Sequence, residues 1–423
     1  MNRTPLPRSS SAGPPQDVWW RSFRSGAKPR WLVGVGCCFA MLGALLLLTS
    51  GEPPAPTTEP VSAVEVRRTS NVLPAITKDA TCADWAAWIP RRSDPAVVMQ
   101  VVSKDYIPIQ RNFIRLMERN SSFNRHNLYL MCMDDASKEF FEKQMGVRCV
   151  PMSALHLPTH EEIWKLRVRV LSCLVQVGRV DVIMSDADAL WLNDPAQELF
   201  HGTSSRGDDN GRRMLSFAGI FGRSGDGEKR TAEGGVWGGV RDSDVVASRG
   251  TFPFDLGEAW GSTMCMGFIL FRAKNAAGMA AFLRTLEDLV LETEDDQISL
   301  NQAAQRLGIV WDAGGDMRYE ESTGYGRGVM PAARIAAAAA ADGDGAGNPV
   351  GGGRRALGDG NGGEFLPLTV TLLPHSTYTR VCEKTPVSAE RTVVAHCYFP
   401  EKVAGVKTSW MERLNLWSVE RDP

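Results

Sequence analysis

The stretch VDVIMSDADALWLNDP, residues Val180 to Pro195, decides the fold class and the function that the sequence predicts. It opens with an apolar run, Val180 to Met184, that is typical of a buried strand and places Asp186 and Asp188 just past the carboxyl end of that strand. Residues i and i+2 of an extended segment point the same way, so both carboxylates can face one divalent cation. A cation held in this way can bind a diphosphate, which is how enzymes handle nucleotide-activated substrates.

The Asp-x-Asp spacing alone is weak evidence. The same spacing occurs at residues 242–244 and 342–344, in polar surroundings with no strand leading in, and a bare Asp-x-Asp is usually a solvated turn. The copy at Asp186 and Asp188 differs because a strand precedes it and the apolar segment Ala-Leu-Trp-Leu follows it. This context favours a metal site.

Strand and helix patterns alternate along the chain before this stretch. Strands are predicted at residues 97–102, 127–133 and 147–150, and helices at residues 107–118, 138–145 and 161–177. Such alternation predicts an α/β fold in which helices cover both faces of a parallel sheet. Ligands of these sheets bind at the carboxyl ends of the strands, where Asp186 and Asp188 fall.

Regularity decreases after Pro195. Residues 202–250 are rich in glycine and charge and predict an elaborated loop, and residues 332–363 are a low-complexity Ala/Gly stretch that predicts a disordered insertion, with a short alanine helix as the alternative. Regular elements are expected between and after these loops, as strands at residues 266–271, 368–373 and 392–395 and as helices at residues 276–291 and 296–307.

The N-terminal part predicts a membrane anchor. Trp31 to Thr49 is an uncharged apolar stretch of 19 residues, close to the roughly 20 that span a bilayer. Basic residues precede it, so the positive-inside rule places residues 1–30 in the cytosol and the rest in the lumen. A cleaved signal peptide is the alternative, but the apolar run and the segment before it are long for one. Residues 50–94 are rich in proline and predict an extended stem, and residues 95–417 are expected to form the folded domain.

Charge and cysteine content restrict the partners and the compartment. The net charge of −2 and the lack of a basic stripe beyond the N-terminus give no sign of a nucleic-acid partner. Seven of the nine cysteines lie outside the predicted anchor, which suits an oxidising compartment in which disulfides form. Because seven is an odd number, at least one thiol is unpaired or forms an intermolecular bond. The spacing suggests the pairs Cys132–Cys149 and Cys382–Cys397, and no Cys-x-x-Cys is present to form a zinc ribbon.

Four segments in this order resemble the nucleotide-diphospho-sugar transferases of glycosyltransferase family 77: VDVIMSDADALWLNDP, CMGFILFRA, DDQISLNQA and VVAHCYFPEKVAGVK. The resemblance extends from Ala96 to Trp417. It implies a GT-A (Rossmann-like) fold with a mixed, mainly parallel sheet, anchored in the Golgi membrane as a type II protein. It also implies a retaining, metal-dependent transfer that uses Mn²⁺ (or Mg²⁺), a nucleotide sugar such as a UDP-sugar as donor, and a glycan or glycoprotein as acceptor.

The resemblance implies a metal and diphosphate site on four residues. Asp186 and Asp188 match the motif that binds the metal and the nucleotide sugar, His396 would complete the metal site as a neutral imidazole, and Lys407 would meet the diphosphate. Two carboxylate oxygens and one imidazole suit manganese, and an ammonium group neutralises charge that develops on the leaving diphosphate. A half-buried structural histidine is the alternative for His396.

Three further residues follow from the resemblance. Lys165 is a predicted phosphate contact, with a solvated helix face as the alternative. Asp296 is predicted to face the donor or acceptor sugar as a catalytic residue, with an ordinary helix N-cap as the alternative. Gly267 is predicted to let the backbone approach a ligand closely. Family members commonly have Asn-Thr-Gly or Asn-Ser-Gly here, whereas this chain has Cys265-Met266 before the glycine.

The sequence therefore predicts a Golgi glycosyltransferase. The alternative is a catalytically inactive lumenal module that binds sugar or protein on a degenerate transferase fold, and the presence of Asp186, Asp188, His396 and Lys407 together is evidence against it. A phosphosugar nucleotidyltransferase shares the fold class but needs a glycine-rich phosphate loop after the first strand, and residues 101–106 contain none.

Overall fold

The computed structural model of the protein describes residues 73–90, 93–157, 159–201, 239–320, 322–341, 365–382, 386–398 and 403–419. The predicted cytosolic tail and anchor, residues 1–49, and the first part of the predicted stem lie outside these ranges, as do residues 202–238 and 342–364. Among the helices that are described, none combines the length and the apolar character needed to cross a membrane.

The helices and strands are numbered here in chain order. The helices are α1 Cys82–Ala87, α2 Ile107–Asn120, α3 Asp135–Gln144, α4 His160–Gln176, α5 Phe254–Trp260, α6 Ala276–Thr293, α7 Asp296–Arg306, α8 Ala332–Ala341 and α9 Ala404–Arg413. The strands are β1 Val97–Val102, β2 Leu128–Cys132, β3 Cys149–Pro151, β4 Val182–Ser185, β5 Ala189–Trp191, β6 Val245–Gly250, β7 Thr263–Phe271, β8 Val310–Trp311, β9 Gly326–Met330, β10 Leu368–Leu372, β11 Tyr378–Thr379 and β12 Val394–His396.

Within the described residues, a nine-stranded sheet with the order β3-β2-β1-β4-β7-β6-β10-β9-β8 forms the centre of the fold. Strands β3, β2, β1 and β4 are parallel to one another. Strand β7 is antiparallel to both β4 and β6, and β9 is antiparallel to β10 and β8, while β6 and β10 are parallel. The predicted α/β class is confirmed, but the sheet is evenly mixed and not mainly parallel. Strand β7 is buried along its whole length, and a continuous apolar run of this kind is typical of parallel strands, although β7 is antiparallel to both of its neighbours.

The two faces of the sheet pack into two apolar clusters. Val97 and Met99 of β1 point into one cluster, and Val98 points into the other, because alternate residues of a strand face opposite sides. Helices α4, α6 and α7 cover the first face, and α2 and α9 cover the second. The layered α/β arrangement follows from burying both faces of the strands.

A smaller sheet, with the order β11-β12-β5, lies at the end of β4. The chain leaves the large sheet at Ser185, turns through Asp186 to Asp188, and enters the small sheet as β5. In that sheet Ala189 of β5 is paired in register with His396 of β12. Changing sheets at the Asp-x-Asp turn therefore brings His396 next to the two carboxylates, although more than 200 residues separate them.

The segment before β1 is part of the folded body. Helix α1 has a capping box formed by Thr81 and Asp84, and Cys82 is bonded to Cys173 of α4. Trp85 is 1% exposed, so this tryptophan is packed onto the body. The folded body thus includes residues 73–90, and the predicted boundary between stem and domain at residue 94 is too late.

Two predicted loops contain regular structure. Strand β6, in the region predicted as an elaborated loop, is buried throughout, and residues 202–238 of that region lie outside the described residues. The first residues of the predicted disordered insertion form α8, in which Ile335 is buried, and residues 342–363 are again outside. The disulfides Cys132–Cys149 and Cys382–Cys397 are confirmed, and Cys265 is a free thiol.

Candidate active site

Asp186, Asp188 and His396 form a compact cluster. One possible ligand atom from each lies within 4.8 Å of the others, and His396 Nε2 is 3.6 Å from Asp186 Oδ2 and 3.6 Å from Asp188 Oδ1. The turn that carries the carboxylates is fixed by the backbone, because Asp186 N–H donates to the carbonyl of Gly267 at 2.8 Å and Ala189 N–H donates to the carbonyl of Asp186 at 3.0 Å. The cluster is thus held by strands and not by mobile side chains alone.

The donor atoms of this cluster fit a divalent cation. Two carboxylates and one imidazole are the oxygen and nitrogen ligands that Mn²⁺ accepts readily, and Mg²⁺ accepts the oxygen ligands. Asp188 is almost fully buried, whereas a third of the Asp186 side chain is exposed. The arrangement can therefore hold a cation on Asp188 and His396 from inside while Asp186 faces the solvent side.

Lys407 adds a positive charge to the cluster. This residue of α9 approaches Asp188 with its Nζ 2.5 Å from Oδ2, and the same Nζ lies 5.5 Å from the centre of the Tyr106 ring. Burial would raise the pKa of Asp188, but its hydrogen bonds and charge interactions with His396 and Lys407 hold that pKa well below its usual range. The carboxylate is therefore ionised and available as a ligand.

Arg167 joins Asp186 to Asp296. Its Nη1 donates to Asp186 Oδ1 at 2.8 Å, and its Nε donates to Asp296 Oδ2 at 2.8 Å, with a second, shorter contact from Nη2. Asp296 is 4% exposed, and burial raises its pKa to about 6 against the opposing effect of the Arg167 guanidinium. The N-cap of α7 is the preceding residue, Asp295, whose carboxylate accepts from Ile298 N–H at 2.8 Å. Asp296 is thus directed into the cluster and does not cap the helix.

The basic residue of α4 that reaches the cluster is Arg167. Lys165 forms an ion pair with Glu294 at 2.8 Å. Residues two apart on a helix differ by about 200° in direction, so only one of these two side chains can face the Asp-x-Asp turn. The sequence pattern selects the right helix, and the contact between Lys165 and a phosphate stays a prediction.

Gly267 makes room for His396. A Cβ atom built on Gly267 would lie 1.9 Å from His396 Cε1 and 2.4 Å from Nδ1. The glycine thus allows a close approach of the imidazole ring, and its predicted close approach to a ligand stays a prediction.

Two residues that the sequence did not single out as functional lie on the far side of His396. Arg380 Nη1 is 3.1 Å from His396 Nδ1, and Cys265 Sγ is 3.8 Å from the same atom, with a short contact between Arg380 and Cys265. Burial and the Arg380 charge would lower the pKa of His396, but hydrogen bonds with Asp188 and Cys265 raise it to about 9. Burial would raise the pKa of Cys265, but Arg380 and His396 lower it to about 7.

The chain matches the sequence model of one known protein family. The family model described as nucleotide-diphospho-sugar transferase matches residues 124–399 of the chain. No curated protein matches the chain significantly in sequence.

Several solved glycosyltransferase structures show partial likeness. The apo form of GlyE from Streptococcus pneumoniae TIGR4 is 14% identical over 49% of this chain and 43% of its own, with a TM-score of 0.27. Mouse xyloside xylosyltransferase 1, also in apo form, is 11% identical over 49% of this chain and 81% of its own, with a TM-score of 0.27. The apo bifunctional glycosyltransferase WbbM is 11% identical over 51% of this chain and 38% of its own, with a TM-score of 0.29. The chain thus spans less than half the length of GlyE.

Proposed function

The chain belongs to the nucleotide-diphospho-sugar transferase family, whose model matches residues 124–399, and we propose that it is a metal-dependent glycosyltransferase of the GT-A type. It transfers a sugar from a nucleotide-diphosphate sugar, with a UDP-sugar as the expected donor, to a glycan or glycoprotein acceptor. The observation that carries this proposal is the convergence of Asp186, Asp188 and His396, with Lys407 beside them, from distant parts of the sequence.

Each charged residue of the cluster has a separate proposed role. A divalent cation on Asp186, Asp188 and His396 would neutralise the donor diphosphate. Lys407 is placed to stabilise the charge that develops on the same diphosphate as it leaves. Arg167 fixes Asp186 and holds the buried carboxyl group of Asp296 beside it, and Asp296 is the residue that we propose faces the donor or acceptor sugar.

We propose that the transfer retains the configuration at the anomeric carbon, as the resemblance to glycosyltransferase family 77 implies. The acceptor hydroxyl attacks the anomeric carbon on the face that the diphosphate leaves. The bond between that carbon and the phosphate oxygen breaks, and the leaving oxygen takes the proton of the acceptor. This route requires no separate general base.

The proposal is tested by turnover of nucleotide sugars. The full chain is incubated with a panel of UDP-sugars, with Mn²⁺ or with excess EDTA, and release of UDP is measured. The variant Asp188→Asn should lower the rate by at least about a hundredfold, because it removes a charged ligand from a buried site. The matched control is Asp242→Asn, which changes the other described Asp-x-Asp at an exposed position and should leave the rate unchanged.

Two outcomes would contradict the proposal. Full turnover in excess EDTA would refute the metal role. Tight binding of UDP-sugars with no turnover under any metal would favour the inactive binding module in its place.

We also propose that the enzyme is a single-pass type II protein of the Golgi membrane, anchored by Trp31 to Thr49. The disulfides Cys82–Cys173, Cys132–Cys149 and Cys382–Cys397 support an oxidising compartment for the body. In sealed microsomes the body should resist an added protease until detergent is present. Cleavage of the body without detergent would refute this orientation.

A further inference from the structure

The imidazole of His396 has a second side that faces away from the two carboxylates. Its Nδ1 lies 3.1 Å from Arg380 Nη1 and 3.8 Å from Cys265 Sγ. Cys265 is fully buried, and Arg380 also donates to its sulfur. Arg380 and Cys265 therefore contact each other and the side of the His396 ring that faces away from the carboxylates.

The contact with Arg380 and the binding of a cation require the proton of the His396 ring on different nitrogens. A guanidinium group only donates hydrogen bonds, so when Arg380 donates to Nδ1 the neutral ring carries its proton on Nε2, the atom that faces Asp186 and Asp188. A ring in this form has no lone pair to offer a cation at Nε2. Ligation through Nε2 requires the proton to be on Nδ1 and an acceptor to receive it.

The acceptor beside that atom is the sulfur of Cys265. We propose that Cys265 and Arg380 are positioning residues that set the tautomer of His396. When a cation binds, the Nδ1–H donates to Cys265 Sγ and Arg380 keeps its contact with the same sulfur. In the loaded protein the ring is therefore neutral, with its one proton on Nδ1 and the lone pair of Nε2 directed to the cation. This inference rests on the proposed metal-dependent function.

The surrounding structure holds the pair in place. The Cys382–Cys397 disulfide lies two residues beyond Arg380 and one beyond His396. The backbone N–H of Arg380 donates to His375 Nε2 at 3.0 Å, and its carbonyl accepts from Tyr398 N–H at 2.8 Å. The sulfur of Cys265 is fixed from the other side by Gly267 N–H at 3.4 Å. Cys265 and Arg380 are thus held at fixed positions beside the imidazole ring.

The resemblance to glycosyltransferase family 77 does not supply this arrangement. Members of that family commonly carry Asn-Thr-Gly or Asn-Ser-Gly where this chain has Cys265-Met266-Gly267. The thiol is therefore a feature of this chain that replaces a polar residue.

Metal affinity gives the first test. The affinity of the full chain for Mn²⁺ is measured by calorimetric titration, without a donor sugar. Cys265→Ala should weaken binding by about 10- to 100-fold, the range typical of losing a partner behind a metal ligand. Cys265→Ser keeps an acceptor and should recover most of the affinity. The matched control is Met266→Leu, on the next residue of the same strand, which points into the apolar core and should bind as the wild type does.

The tautomer gives the second test and needs no variant at Cys265. Long-range ¹H–¹⁵N correlation spectra of the histidine-labelled full chain are recorded with and without Zn²⁺, a diamagnetic cation that accepts imidazole and carboxylate ligands, and the His396 signals are identified by their loss in His396→Ala. With Zn²⁺ the proton should be found on Nδ1. A proton on Nε2 in the loaded protein, or wild-type Mn²⁺ affinity in Cys265→Ala, would overturn this inference and leave the proposed function intact. A wild-type chain that binds no cation would refute the proposed metal role and this inference together.

Discussion

Gly267→Ala is the substitution whose effect follows most directly from the geometry. The added Cβ would lie 1.9 Å from His396 Cε1 and 2.8 Å from Nε2, whereas non-bonded carbon atoms prefer about 3.5–4.0 Å. The ring must therefore retreat by roughly 1.6–2.1 Å, while metal–ligand distances tolerate about 0.2 Å. His396 would be lost as a ligand. We expect the affinity for Mn²⁺, measured by calorimetric titration, to fall at least about a hundredfold, more than the loss of an outer partner causes.

A double-mutant cycle separates this mechanism from general damage. On the background of His396→Ala the clash has no partner, so Gly267→Ala should cause little further loss of affinity. Additive losses in the double variant would show that the alanine disturbs the strand and not the imidazole. Wild-type affinity in Gly267→Ala alone would refute the assignment of His396 as a ligand.

Three further outcomes are expected. Lys407→Ala should lower kcat by about a hundredfold, with a smaller change in KM for the donor, because the ammonium acts on the leaving diphosphate. Steady-state kinetics on a UDP-sugar measure both constants. Arg167→Met should also lower kcat. It should raise the apparent pKa of the buried Asp296 carboxyl above about 6, because the positive charge of the guanidinium is lost. A pH–rate profile measures this pKa. Burial lowers the pKa of His375 from 6.5 to about 4, so the free energy of unfolding in urea should fall as the pH drops through this window.

Each of these outcomes has its own control. Arg413→Ala, on the same helix as Lys407 but stacked on Trp410, should keep normal kcat. An equal loss in Lys165→Ala and Arg167→Met would show that both basic residues of α4 act on the substrate. For His375 the sign is fixed by its role as an acceptor for two backbone N–H groups, which the neutral ring alone can fill. A His375→Gln variant with the same acid dependence as the wild type would contradict this account.

The local part of the site could be predicted from the sequence. Asp186 and Asp188 follow an apolar strand within one continuous segment. The apolar residues before and after them were therefore sufficient to place them at the end of a strand. The strands and helices of the first half were also predicted, because each pattern is contained in a few residues. His396 and Lys407 required the resemblance, since nothing local marks a histidine that lies opposite β5 across a small sheet.

The rest of the site depends on contacts that the sequence does not carry. The choice of Arg167 over Lys165 depends on the rotation of α4 relative to the sheet, which hydrophobic periodicity fixes only to within a residue or two. Cys265 and Arg380 are 115 residues apart and meet only because β7 and the small sheet converge. The role of Gly267 was predicted as a close approach, but its partner is identified only by the fold.

The disulfide between Cys82 and Cys173 turns a large part of the fold into a closed covalent ring. The two cysteines are 91 residues apart, and the ring contains β1, β2 and β3 together with the smaller loop closed by Cys132 and Cys149. Closing a loop of this length removes about 4–5 kcal/mol of chain entropy from the unfolded state. Cys82 therefore stays attached to α4 even when the residues before it fray. A protease that cuts once inside the ring leaves a molecule that stays in one piece until it is reduced.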